Sequence, residues 1–208
     1  MKLSDTMEGI FTLLNSGIVI FPTETFYGIG CRIDAKAACE RIAHAKGERG
    51  DKPFPVICGN ILQVKNWFLF PSPEVEDILA EIWGAPLSVL LAVKPSKRNL
   101  ISPFAHKDFY SAVRVSPLRV AQKLAGKCGA PIVATSANIH GNPPPTLFDA
   151  IDSRIMRVAD VGLDGGVTKG GLPSTIIAVS GEGEKPGYLL IRDGAFPEKE
   201  LLKYFRKI

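Results

Sequence analysis

Gly17-Ile-Val-Ile-Phe-Pro-Thr-Glu-Thr-Phe-Tyr-Gly-Ile-Gly30 sets the fold class of this 208-residue chain. Ile18–Phe21 is a short, wholly apolar run rich in β-branched residues. It reads as a buried strand, and Pro22 stops it. On its N-terminal side, Met7, Ile10, Phe11 and Leu14 recur at helical spacing within Asp5–Asn15, with Ser4 or Asp5 as cap and Gly17 as terminator. On the other side, Ala35–Ala45 reads as a helix with Asp34 as its N-cap. The alternation continues outward. Phe54–Cys58, Leu87–Val93, Ala112–Val115 and Ile132–Thr135 read as strands. Asn60–Trp67, Pro73–Trp83 and Pro117–Cys128 read as helices, the last with Pro at its start and Gly129 just past its end. Thr146–Ile151 reads as a short helix, Gly162–Gly171 as a loop, Thr175–Val179 and Tyr188–Ile191 as late strands, and Lys199–Ile208 as a closing helix. Strands and helices in turn, with short connections, predict an α/β fold: one domain over residues 1–208, a twisted mixed sheet with flanking helices.

Composition agrees with a globular chain. Hydrophobic residues are 46% and charged residues 22%, which excludes disorder. Gly17–Phe21 and Leu87–Val93 are the longest apolar runs, far below the roughly 20 residues of a membrane span. The first eight residues hold two acids and no apolar segment, so they do not read as a signal peptide. The net charge of +4 suits an anionic ligand and falls short of a dedicated nucleic-acid binder. Four cysteines without close pairing (Cys31, Cys39, Cys58, Cys128) read as reduced thiols of a cytoplasmic protein.

Four segments place polar or backbone-permissive residues where a core does not need them. Pro22–Gly30 follows a buried strand, where ligands of open α/β sheets sit. It offers the hydroxyls of Thr23 and Thr25, the ring of Tyr27, and close backbone approach at Gly28 and Gly30. Lys46-Gly-Glu-Arg-Gly-Asp-Lys52 holds three cations and two glycines in seven residues, which suits phosphate clamping and equally suits a solvated turn. Val133-Ala-Thr-Ser-Ala-Asn138 runs from a strand into hydroxyl and amide groups, with Ser136 and Asn138 able to face one way. Ser174-Thr175 precedes a late strand, and Arg192 closes the next. The sequence contains no P-loop, no dinucleotide fingerprint and no serine nucleophile elbow. His44, His106 and His140 lack metal-ligand spacing.

Taken in order, Phe21–Gly30, Ala45-Lys-Gly with Asp51-Lys-Pro-Phe54, Ala112-Val-Arg-Val115, Thr135-Ser-Ala-Asn138 and Pro173-Ser-Thr-Ile176 resemble the YrdC family of threonylcarbamoyl-AMP synthases. The resemblance spans about Gly17 to Gly194 and is to the short form, without the extra C-terminal domain of longer relatives. It implies a YrdC-like sheet with a large cationic concave cavity. It also implies synthesis of threonylcarbamoyl-AMP and pyrophosphate from L-threonine, bicarbonate and ATP with Mg²⁺. The product would pass to a tRNA-modifying transferase complex. By position, Thr23, Arg114 and Ser174 would meet L-threonine, Arg114 through its carboxylate. Lys46, Arg49, Lys52, Ala134, Ser136, Asn138 and Arg192 would line the nucleotide, with Lys46, Arg49, Ser136 and Asn138 as catalytic residues. No metal ligands are implied.

The chain departs from the family pattern in places. Glu48 stands at the usual loop arginine and Arg49 follows it. Lys52 replaces a frequent Asn, Ile57 a frequent His, Tyr110 a Thr or Ser, and Pro144 a Ser. Either Arg49 supplies the missing guanidinium through a shifted loop, or the chain is a divergent paralogue acting on another carbamoyl adenylate. A non-catalytic binder of double-stranded RNA or tRNA is the alternative of a different class.

Overall fold

The structure is a computed structural model that describes residues 2–3, 5–47, 52–181 and 185–208. Twelve strands form one mixed sheet among these residues. In chain order they are β1 (Lys2–Leu3), β2 (Val19–Pro22), β3 (Tyr27–Arg32), β4 (Val56–Cys58), β5 (Phe68–Leu69), β6 (Leu87–Val93), β7 (Tyr110–Val115), β8 (Ile132–Ser136), β9 (Val161–Gly162), β10 (Thr175–Ser180), β11 (Gly187–Arg192) and β12 (Arg206–Lys207). The helices are α1 (Thr6–Leu14), α2 (Lys36–Lys46), α3 (Ile61–Trp67), α4 (Pro73–Ile82), α5 (Arg119–Lys127), α6 (Ser153–Val158) and α7 (Glu198–Tyr204). The spatial order is β1-β9-β2-β3-β8-β4-β7-β6-β10-β11-β12, with β5 on β6. The β2–β3–β8–β4 run is antiparallel, and β4–β7 and β6–β10 are parallel.

Strand residues alternate between two cores, as a pleat requires when both faces are covered. Ile18 and Ile20, Val56 and Cys58, and Val133 pack on one side. Val19 and Phe21, Ile57, and Ile132 and Ala134 pack on the other. The first core also takes Ile42 of α2, Leu79 of α4 and Leu201 of α7. The second is smaller and is closed by Ile10 and Leu13 of α1 and Ala121, Leu124 and Ala125 of α5. That smaller core ends near β4. Beyond it, the same face of the sheet carries Ala112 and Arg114 of β7, Leu90 of β6 and Ile176 of β10, and these line an open cavity. The functional region is thus the part of one sheet face that α1 and α5 leave bare.

Several sequence expectations are corrected. Tyr27–Arg32 is a full strand, not part of a loop, paired to β2 and β8. Gly30 is in a strand because the β8 backbone comes close: a Cβ there would lie 2.0 Å from Val133 O. Asp34 does not cap α2, whose N-cap is Ala35 without a side-chain bond. Asp34 instead takes a forked pair from Arg32, at 2.9 and 2.7 Å. Pro117 lies outside α5, which starts at Arg119. Residues 146–151 hold only the 3₁₀ turn Phe148–Ala150, and α6 follows it. Asp5 does cap α1, and Asn60 and Ser72, which the sequence did not single out, cap α3 and α4, each of the three accepting a bond from the third residue on.

Candidate active site

The cavity has a volume of about 920 Å³. Its floor is the bare sheet face, and its walls are the β2–β3 turn, the end of β8, the turn before β7 and the contact of Ser174 before β10 with Arg192 at the end of β11. It brings together Thr23, Lys46, Lys52, Arg114, Ala134, Ser136, Asn138, Ser174 and Arg192, which the sequence places in six separate stretches. Of the candidate residues, Arg49, like Glu48, lies outside the described residues. Among the described residues, five cations line the cavity (Lys46, Lys52, Lys107, Arg114, Arg192) against one acid, Asp108. That balance, on a partly apolar floor, suits a large anion with an apolar portion.

One wall is the β2–β3 turn, Thr23–Phe26. The Thr23 hydroxyl donates to Phe26 O at 2.7 Å and accepts from the Thr25 and Phe26 amides, so the turn is rigid before any ligand arrives. Next to it, the Glu24 carboxylate accepts from Arg114 Nε at 2.9 Å and from the Ser116 hydroxyl at 2.5 Å. The sequence reading passed over this pair. Glu24 and Arg114 are 90 residues apart, and only the sheet order brings them together.

The adjoining wall is the end of β8, where Ser136 pairs with Gly28 of β3. The Lys46 ammonium donates to Ser136 O (2.6 Å), Asn138 O (2.7 Å) and Asn138 Oδ1 (3.2 Å). Ser136 Oγ donates to Asn138 Oδ1, and the Asn138 amide continues to Asn142 O. Lys46 is therefore buried among acceptors beneath a polar turn, and its charge is delivered to the cavity through that turn.

The third wall joins Ser174 to Arg192. The guanidinium donates to Ser174 O at 2.6 and 3.0 Å and to its hydroxyl at 3.1 Å, while Ser88 Oγ lies 3.1 Å from the same hydroxyl. Burial lowers the Arg192 pKa, and the nearby positive charge of Arg114 lowers it further. Arg192 thus stands beside the residues expected around threonine, at the junction with the rest of the cavity.

Two more groups escaped the sequence reading. Lys107 and Asp108 reach the cavity from a tight hairpin turn in which Asp108 (φ 50°) and Phe109 (φ 61°) are both left-handed. The expected loop after Gly162 is tied down rather than loose. The Tyr27 hydroxyl contacts Asp164 Oδ1 (2.9 Å) and Gly166 O (2.7 Å), and the Gly170 amide donates to Thr25 O. The four cysteines are free and buried, and Cys31 and Cys39, eight residues apart, have Sγ atoms 3.4 Å apart. Among the described residues no group of three His, Cys, Asp or Glu could hold a metal, and no helix is long and apolar enough to cross a membrane.

The fold is a mixed α/β sheet with flanking helices, and the part of one face left bare forms the floor of the cavity. The Sua5_yciO_yrdC family model (Telomere recombination) matches residues 12–194, and the chain belongs to that family. A Bacillus subtilis protein named threonylcarbamoyl-AMP synthase is 30% identical over 195 residues, covering 91% of this chain and 53% of its own length. One of the same name from Xanthomonas oryzae pv. oryzae is 30% identical over 164 residues, covering 77% of this chain and 85% of its own. In structure, Pyrococcus abyssi Sua5 complexed with L-threonine superimposes with a TM-score of 0.83 at 27% identity, over 100% of this chain and 61% of that one. The chain spans about half the length of the Bacillus subtilis and Pyrococcus abyssi curated relatives that it matches.

Proposed function

We propose that this chain makes threonylcarbamoyl-AMP and pyrophosphate from L-threonine, bicarbonate and ATP, as a nucleotidyltransferase serving tRNA modification. The observation that carries the reading is that one cavity joins Thr23, Arg114 and Ser174 to Lys46, Ser136 and Asn138. The names of its relatives and the threonine complex of the Pyrococcus abyssi protein support it.

The reaction needs no covalent enzyme intermediate. The threonine amine and bicarbonate condense to a carbamate with loss of water. A carbamate oxygen then attacks the α-phosphorus of ATP in line, and the bond to pyrophosphate breaks. The protein has to align the two reactants and neutralise phosphate charge. In this reading Arg114 holds the threonine carboxylate, with Thr23 and Ser174 beside the amino acid. The nucleotide lies along Ala134, Ser136, Asn138 and Arg192. Lys46, Lys52 and Arg49 serve the phosphates. Lys52 is placed on the cavity wall, which fits that task. Where Mg²⁺ accompanies ATP, it would help neutralise the phosphates that Lys46, Lys52 and Arg49 serve. Among the described residues that line the cavity, Asp108 is the one carboxylate.

The test is pyrophosphate release by the purified chain. Release that requires both L-threonine and bicarbonate supports the reading. Salt-sensitive binding of tRNA without turnover would favour the RNA-binding alternative instead.

A further inference from the structure

We propose that Glu24 is a positioning residue for the amino-acid substrate, gripping one edge of the Arg114 guanidinium so that its terminal amines face the cavity and meet a substrate carboxylate. The inference rests on the reading of Arg114 as the carboxylate anchor and adds a part that the reading does not contain.

Three observations carry it. First, the Arg114–Glu24 contact uses Nε alone, at 2.9 Å, and the terminal amines of Arg114 have no protein hydrogen-bond partner among the described residues. A guanidinium has five N–H donors. With the Nε–H taken, four remain, in the planar fork that suits a carboxylate. Second, the pair is nearly closed to water, with side-chain exposures of 6% and 9%, yet Arg114 lines the cavity. Such a pair has little freedom to swing, so the fork is held in place before substrate arrives. Third, Glu24 is itself fixed. Its other oxygen takes the Ser116 hydroxyl at 2.5 Å, and Ser116 Oγ accepts from the Leu118 amide at 3.2 Å, at the entrance to α5. The line Leu118–Ser116–Glu24–Arg114 therefore runs from a helix end to the cavity.

Neighbouring charge makes the grip necessary. Arg192 stands near enough to Arg114 for the two cations to repel. Without the Glu24 carboxylate, Arg114 would be a buried cation beside another cation, and it would turn away from the position that aims its fork. The substrate carboxylate approaches the far edge, so Glu24 does not occupy its place.

The test measures binding of L-threonine and of ATP, separately, by calorimetry on the full chain. The variants are Glu24→Ala, Glu24→Gln, Arg114→Ala and the Glu24→Ala/Arg114→Ala double. Glu24→Ala should weaken threonine about tenfold, the loss of one charge-assisted contact, and leave ATP within about twofold. In Glu24→Gln the amide oxygen still accepts from Nε, so most of the threonine affinity should return. The double variant should bind threonine no worse than Arg114→Ala alone, because Glu24 acts through Arg114. Equal losses for ATP and threonine, unchanged or tighter threonine binding in Glu24→Ala, or additive losses in the double variant would overturn the proposal. If Glu24→Ala does not fold, Glu24→Gln and Ser116→Ala decide. Ser116→Ala should cost threonine about threefold with ATP unchanged, and unchanged threonine binding in Ser116→Ala, or a tenfold loss in Glu24→Gln, overturns the proposal. A different result marks failure of the underlying reading: an unmodified chain that binds no threonine, or Arg114→Ala that binds it normally.

Discussion

Lys46 Nζ donates to the main-chain carbonyl of Ser136 at 2.6 Å, tying the last residue of α2 to the last residue of β8 across 90 positions. Lys46 is 3% exposed, and its ammonium also meets both oxygens of Asn138. A lysine held this way is part of the wall as well as a source of charge. Lys46→Met should therefore do two things. It should loosen the Ser136–Asn138 turn, lowering the unfolding midpoint by about 5 °C. It should also weaken ATP binding by about tenfold or more. Lys46→Arg should not rescue it, because a planar guanidinium does not fit among acceptors arranged around a compact ammonium. Thermal unfolding and ATP titration on the same preparation check this, and a Lys46→Met variant with both values unchanged would contradict it.

Gly28 and Gly30 are two residues apart on one strand and should respond differently to alanine. At Gly30 the new Cβ would lie 2.0 Å from Val133 O, a backbone atom of the neighbouring strand that cannot step aside. At Gly28 the nearest atoms are 3.4–3.6 Å away, which is ordinary contact. Gly30→Ala should cost about 3 kcal/mol by forcing β3 from β8, while Gly28→Ala should cost less than about 1 kcal/mol. Denaturant unfolding of the two variants measures the difference, and equal losses would mean that the β3–β8 register is wrong.

His106 gives a pH dependence. Its Nδ1 accepts the Phe109 amide at 3.3 Å, its ring stacks on Phe109 at 4.9 Å, and Arg98 lies over Phe109 at 4.6 Å. Burial lowers its pKa, with the charge of Asp108 opposing in part. The folded pKa thus lies below the ordinary value near 6.5. Its contribution to stability is complete above that value and is lost as pH falls through the lowered folded pKa. Protonation also removes the acceptor that pins the left-handed Asp108–Phe109 turn beside the cavity. A proton NMR titration should place His106 below 6.5, and His106→Gln should flatten the acid side of the stability profile. A His106 titrating above 6.5 would contradict this account.

How much of this was legible beforehand follows from which interactions are local. Leu87–Val93 emerges with the bounds its sequence suggests, because a run of apolar residues broken only by Ser88 is written in its own composition. The cap at Asp5 likewise acts within three residues. Thr23 and Ser136 could be suspected because each ends an apolar strand, and the sheet order places them on one cavity. Their shared floor was not legible. It is a sheet face left bare by α1 and α5, which depends on where two distant helices pack.

The misses share the same cause. Tyr27–Arg32 resembled a loop because Gly28 and Gly30 are poor strand formers, and the reason for glycine at position 30 is the approach of Val133 O from another segment. Asp34 had the right type and place to cap α2, but the Arg32 guanidinium claimed it. Nothing in the Phe21–Gly30 segment itself marks Glu24, since its partners Arg114 and Ser116 meet it only through tertiary structure. Cys31 and Cys39 came into contact because β3 and α2 pack together, which their spacing alone does not announce.

The most direct test of the central claim follows the carbon of bicarbonate. The purified chain is incubated with ATP, L-threonine and ¹³C-labelled bicarbonate, and the adenylate formed is analysed by mass spectrometry alongside released pyrophosphate. The account predicts an adenylate that carries threonine and one labelled carbon, formed one for one with pyrophosphate. An adenylate of threonine without the label, or pyrophosphate released at the same rate when bicarbonate or threonine is left out, would contradict it.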